Sequence, residues 1–209
     1  MTRRVVITGL GALAPVGNNV EETWANLLAG KSGISEITLF DTTDFAGKIA
    51  GEVKGFVAED WIDPKEARHM DRCVQFAVVA AGQALKDAGI DMADEDPDRV
   101  GIIFGSAAGG VGTLVAQQTI FMERGARRVS PHFLPNFMVD SASGQVATNI
   151  GAKGPNRAVV SACATGAHAV GEPMETLKRG DAGVIAGGGP PGVPRPGAAD
   201  ALAHGAARG

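Results

Sequence analysis

Apolar residues along the chain fall into short blocks separated by glycines, and the spacing inside the blocks alternates between two patterns. Aliphatic or β-branched runs at residues 5–8, 100–104, 158–161 and 184–186 predict buried strands that turn at the small residues behind them. Between them the apolar positions recur at helical spacing. Asn18 or Asn19 can cap a helix that carries Trp24, Leu27 and Leu28 and stops at Gly30. Residues 68–88 place Val74, Ala77, Val78, Ala81 and Leu85 on one stripe, with Gly89 as the stop. Residues 114–124, 143–149 and 164–178 read as further helices. Strands apolar on both faces, alternating with helices, predict an α/β fold with a largely covered, mostly parallel sheet.

Composition changes this picture in two places. There are 30 glycines among 209 residues, about twice the usual 7% or so. Most stand at the ends of apolar runs, where a strand turns into a helix. From Gly187 onward the chain reads Gly-Gly-Gly-Pro-Pro-Gly-Val-Pro-Arg-Pro-Gly and continues in Ala, Gly and Arg, with almost no large apolar side chain. Such a segment buries too little to offset its ordering entropy. The expected organisation is therefore one domain over residues 1–187 and a disordered or loosely attached tail over 188–209. Pro173 falls inside a predicted helix, where a proline costs about 3 kcal/mol.

Charge and cysteine usage narrow the function classes. A formal charge of −4 argues against nucleic acid as a partner. No apolar run approaches the roughly 18–20 residues of a membrane span. The short N-terminal apolar stretch runs into glycines and is no signal peptide. Cys73 and Cys163 are far apart and lack metal spacing, which favours free thiols in a reducing, cytoplasmic compartment.

Few motifs carry chemistry. Gly9-Leu10-Gly11-Ala12-Leu13-Ala14 fits a dinucleotide fingerprint. Pro15, Gly17, Asn18 and Asn19 keep the following chain in a loop, however, so a tight turn is the better reading. Gly105–Gly112 lacks the Lys-Ser/Thr of a phosphate loop, and its small residues instead admit a close backbone or substrate chain. Cys163 stands between a strand and a helix start, where unpaired N–H groups favour an anion. Ala162, Ala164 and Gly166 leave room around the sulfur. On these residues alone an activated nucleophile and a small core thiol are equally well supported. Cys73, beside a helical apolar stripe, reads as packing. His168 is five residues past Cys163, about 500° of helical rotation, which points the two side chains apart. His69 and His132 have no acidic partner at diagnostic spacing, and His204 lies in the tail.

Around Cys163 the chain resembles the elongating β-ketoacyl-acyl-carrier-protein synthases. Val5-Val6-Ile7-Thr8-Gly9-Leu10-Gly11 with Pro15-Val16-Gly17 resembles the family's opening, and Phe104-Gly105-Ser106 with Gly109-Gly110 its acyl-pocket loop. Ser130-Pro131 with Phe133 and Pro135 resembles a dimer-contact loop. Ser161-Ala162-Cys163-Ala164-Thr165-Gly166 resembles the active-site elbow, followed by Gly180-Asp181-Ala182 and Ala186-Gly187-Gly188. The resemblance implies the N-terminal half of a thiolase-like layered αβαβα fold, a homodimer, no cofactor and no metal. It implies acyl carrier protein, bearing acyl and malonyl groups, as partner and Cys163 as acyl acceptor. Its backbone N–H contributes to an oxyanion hole. Ala108 matches the gate of the acyl pocket, and Phe133 matches a residue that reaches the neighbouring subunit's pocket. Ala108 is small, which implies a pocket open to long or branched chains. The two histidines and the lysine with which the family activates malonate have no match in this chain, so acyl transfer without condensation is expected. A polyketide-type ketosynthase shares the same elbow, and a non-catalytic dimerising fragment is the reading from a different class.

Overall fold

The computed structural model describes residues 3–189 and 202–208. The order is β1 (Val6–Leu13), α1 (Val20–Leu28), β2 (Ile34–Glu36), β3 (Ile49–Gly51), α2 (Pro64–Ala67), α3 (Arg72–Asp87), β4 (Val100–Gly105), α4 (Val111–Arg124), α5 (Phe133–Phe137), α6 (Ser141–Ile150), β5 (Asn156–Val159), α7 (Thr165–Arg179), β6 (Val184–Gly188) and β7 (Leu202–Arg208). β1, β7, β6, β4 and β5 line up in that order in one sheet, and β2 and β3 form a small antiparallel pair. β5, β4 and β6 run parallel, whereas β7 runs antiparallel to both of its neighbours.

Alternation along the strands assigns the two faces. Ile102 and Phe104 of β4 and Ala186 of β6 pack with Ala77 and Ala81 of α3 and Ala142 and Val146 of α6. The intervening Ile103 and Ile185 pack with Leu177 of α7 on the opposite face. The result is an α/β/α sandwich, and β4 and β6 are buried throughout.

β1 differs from its expected form. It does not turn at its glycines but runs through them to Leu13, and Val6 and Ile7 are exposed. The glycines serve packing: a Cβ on Gly11 would overlap the Ala80 carbonyl of α3. α3 also covers the outer edge of β1, since Leu10 N donates to Asp87 and Ala12 N to Gln83.

The helix expected over residues 68–88 starts late, as α3 from Arg72 to Asp87, and the short α2 ends before that span begins. Asp71 caps α3, its carboxylate accepting from Cys73 N, and this sets the late start. Asn19 caps α1 by accepting from Glu22 N, but Trp24, Leu27 and Leu28 on that helix are exposed. Of the tail expected to be loose, Gly188 ends β6 and residues 202–208 form β7, while 190–201 and 209 lie outside the described residues. Alanine and glycine fill much of β7. A strand of small residues can pair through its backbone where the sequence offers no apolar signal.

Candidate active site

Parallel strands β5, β4 and β6 end on one side of the sheet, and the loops that leave them there form the candidate site. The ends of β4 and β5 are tied together from α6. Ser143 Oγ accepts from Phe104 N at 2.9 Å and donates to Arg157 O at 2.9 Å. This hydroxyl is fully buried, so both of its bonds are made without competition from water.

After β5 the chain passes Val160 and Ser161, makes a 3₁₀ turn over Ala162–Ala164 and enters α7 at Thr165. Cys163 is in that turn and is exposed. Ala162, immediately before it, has φ +51°, the left-handed conformation, and is the one non-glycine residue among those described to adopt it. A left-handed alanine carries strain of roughly 1–2 kcal/mol. Such strain concentrates where a strand-to-helix turn must lift a nucleophile clear of the chain. The helix can sit this close because Gly105, at the end of β4, has no side chain: a Cβ there would overlap the Thr165 methyl.

Hydrogen bonds hold the turn from α7. Ser161 N donates to Thr165 Oγ1 at 2.9 Å, and Ala164 N donates to Ser161 O at 3.1 Å. Ser161 Oγ lies 2.7 Å from His168 Nδ1. The expectation that His168 points away from Cys163 treats both residues as parts of one helix. Cys163 precedes the helix, and the His168 side chain reaches back along α7 to the residue two before the cysteine. Ser161 and His168 carry no spacing signature, and only the turn geometry brings them together.

The loop after β4 opens on the same side. Ser106 is buried and its Oγ accepts from Gly109 N at 2.9 Å, so Ala108, half-buried, is held at the tip of a tight turn. Gly110 N donates to Phe137 O of α5 at 3.1 Å, joining this loop to the segment that begins at Phe133. Phe133 stacks on Phe137 with ring centroids 5.5 Å apart. It lines a mainly apolar cavity of about 270 Å³ with Leu114, Phe121 and Val129. Thus Ala108 and Cys163 leave the ends of paired strands, whereas Phe133 faces a cavity whose lining includes neither of them.

The second cysteine has the opposite environment. Cys73 is buried in α3, and burial, reinforced by the charge of Asp71, pushes its thiol well above the ordinary value. His69 and His132 stack with ring centroids 4.1 Å apart. Among the described residues no group of three or more His, Cys, Asp or Glu is arranged to hold a metal ion. No helix among them is long and apolar enough to cross a membrane.

The sequence profile of the "Beta-ketoacyl synthase, N-terminal domain" family matches residues 2–199. The chain is 50% identical over 187 residues to the 3-oxoacyl-[acyl-carrier-protein] synthase 2 of Staphylococcus aureus, covering 90% of this chain and 45% of that protein. Among solved structures it superposes on the ishigamide ketosynthase/chain length factor with a TM-score of 0.85 and 30% identity, over 93% of this chain and 49% of that one. It shares the fold of a ketosynthase solved bound to its type II PKS acyl-carrier protein, with a TM-score of 0.81 at 21% identity, covering 99% of this chain and 62% of that one. The chain spans about half the length of the curated relatives it matches.

Proposed function

The chain belongs to the β-ketoacyl synthase family, as the N-terminal half of that thiolase-like fold, and from this premise we propose that Cys163 is its acyl acceptor in fatty-acid elongation. The observation that carries the proposal is the left-handed Ala162, which lifts an exposed thiol onto the strand-to-helix turn above the sheet.

In the proposed first step the Cys163 sulfur attacks the thioester carbonyl of an acyl carrier protein. A C–S bond forms to the enzyme, the carrier's C–S bond breaks, and the carrier leaves as a thiol with the proton. The Cys163 N–H, in the turn just before α7, donates to the oxyanion. In the family's second step a malonyl carrier protein loses CO₂, its carbanion forms a C–C bond to the acyl carbon, and Cys163 is released. The histidines and lysine that assist there have no match among these 209 residues, so this polypeptide alone is proposed to stop at the acyl-enzyme.

An acyl carrier protein as partner is part of the proposal and is supported by the names of the relatives; a homodimeric state and a cytoplasmic setting are proposed with it on the family resemblance alone. Ala108 is proposed as the small gate that admits long or branched chains, and Phe133 as a residue serving a neighbouring subunit's pocket. The elongation reading is favoured over a polyketide one by 50% identity to a fatty-acid enzyme against 30% to the ishigamide ketosynthase.

The test is incubation of the purified chain with acyl carrier protein thioesters of short and long chain length, with and without malonyl carrier protein. The expected products are an acylated protein with either donor and no 3-oxoacyl carrier. Acylation confined to very short chains contradicts the role of Ala108. Full condensation by the pure chain contradicts the proposed arrest at the acyl-enzyme, and no acylation contradicts the whole reading.

A further inference from the structure

A left-handed alanine does not hold itself in place, and the structure points to what holds Ala162. Two of the bonds made by Ser161 are short-range: its N–H donates to Thr165 Oγ1, and its carbonyl accepts from Ala164 N. Both also suit an ordinary turn entering a helix, with Thr165 buried and fixed in the first turn of α7. The third bond is different. Ser161 Oγ lies 2.7 Å from His168 Nδ1, seven residues on, so this contact closes a ring of chain around Ala162 and Cys163.

α7 itself is anchored beneath that ring, with Ala169 and Leu177 fully buried against the sheet. His168 is exposed and packs in no core cluster, so its position is not explained by apolar burial. Its described polar partner is Ser161, and that partner is itself only half-buried. A hydrogen bond between side chains at such a site contributes little to overall stability. It is well placed, however, to choose between two conformations of a single residue that differ by a similarly small amount.

We propose that Ser161 and His168 are positioning residues: their hydrogen bond locks the Ala162 turn in its left-handed conformation and so presents Cys163 to an incoming thioester. The inference rests on the reading of Cys163 as the nucleophile, and goes beyond it by naming the pair that sets its presentation.

Two measurements test it separately. The first is the ¹³Cα and ¹³Cβ chemical shifts of Ala162, which report the sign of φ and do not depend on the reactivity of Cys163. In Ser161→Ala and His168→Ala these shifts move towards the values of an alanine with negative φ. They return in His168→Asn, whose amide reaches the place of Nδ1, and in Ser161→Thr, which keeps the hydroxyl. The second is the rate of Cys163 alkylation by iodoacetamide, read by mass spectrometry with Cys73 as the internal reference.

The expected result is a five- to tenfold slower reaction of Cys163 in either alanine variant, no further loss in the double variant, and recovery in His168→Asn and Ser161→Thr. Wild-type shifts at Ala162 in a folded His168→Ala or Ser161→Ala overturn the lock. So does loss of rate in the alanine variants that neither conservative variant restores. If the shifts respond as expected while wild-type Cys163 reacts no faster than Cys73, the lock stands and the nucleophile reading falls.

Discussion

At residue 162 an alanine occupies a backbone region that glycine enters freely. Replacing an alanine by glycine in an ordinary conformation costs about 0.5–1 kcal/mol, because the unfolded chain gains freedom. At Ala162 the relief of strain opposes that loss. The expected outcome for Ala162→Gly is stability within about 0.5 kcal/mol of the wild type or above it, measured by urea denaturation. A loss beyond about 1 kcal/mol contradicts the left-handed assignment.

Glu52 gives a second test on a single side chain. Burial raises its carboxyl, but hydrogen bonds from Thr38 Oγ1, Thr38 N and Leu39 N, with the charge of Lys54, outweigh burial and hold it below its usual 4.5. A carboxylate whose folded value is lowered stabilises the protein fully above its unfolded value, and that contribution is lost as pH falls from near 4.5 through the folded value. Glu52→Gln should therefore lower stability at neutral pH by about 1–3 kcal/mol and flatten the loss of stability on acidification. An unchanged acid limb in the variant refutes this role.

At this scale the sequence made the place of Cys163 between strand and helix legible, because its small neighbours are local features, while the choice between nucleophile and packed thiol rested on the family resemblance. Ser161 and His168 were hidden, since their meeting depends on a 3₁₀ turn that shifts the start of α7 past the cysteine.

Elements built on a strong period were legible to within a few residues. β4 and β6 announce themselves as apolar runs buried on both faces, and α7 ends at Gly180 with φ +85°. What failed to show was set by tertiary contact. β1 continues through glycines because α3 lies against them, and α3 starts late because Asp71 caps it. β2 and β3 are three residues each, and β7 is mostly alanine and glycine, so neither carries a pattern.

Pro173 is the one element-scale feature that the sequence marks as unfavourable and the structure retains. It stands in the interior of α7, buried, with its ring over the position where Gly187 has no side chain. A proline there removes the hydrogen bond to Ala169 O. Pro173→Ala should restore it and raise stability by about 1–2 kcal/mol, the lost ring contact offsetting part of the roughly 3 kcal/mol penalty. A variant less stable than the wild type shows that the ring contact dominates.

Among the described residues of the whole molecule, several large apolar side chains stand open to solvent. Trp24 is 61% exposed, Leu28 71%, Trp61 54% and Met122 72%. These side chains come from α1, α4 and the turn before α2, so the apolar surface is spread over several faces. Light scattering should give a mass above the 21.3 kDa of one chain, and a hydrophobic dye should bind. A monodisperse monomer that ignores the dye contradicts the surface described.

Residue, element and molecule meet at the exposed turn between β5 and α7, where Cys163, and not the buried Cys73, is the proposed acyl-accepting thiol. The direct measurement is site-resolved acylation. The chain is incubated with a modest excess of a long-chain acyl thioester of acyl carrier protein and digested, and the occupancy of each cysteine peptide is read by mass spectrometry. The predicted result is acyl mass on the Cys163 peptide, none on the Cys73 peptide, and none on either in Cys163→Ala. Equal occupancy of the two cysteines, or undiminished acylation of Cys163→Ala, would contradict it.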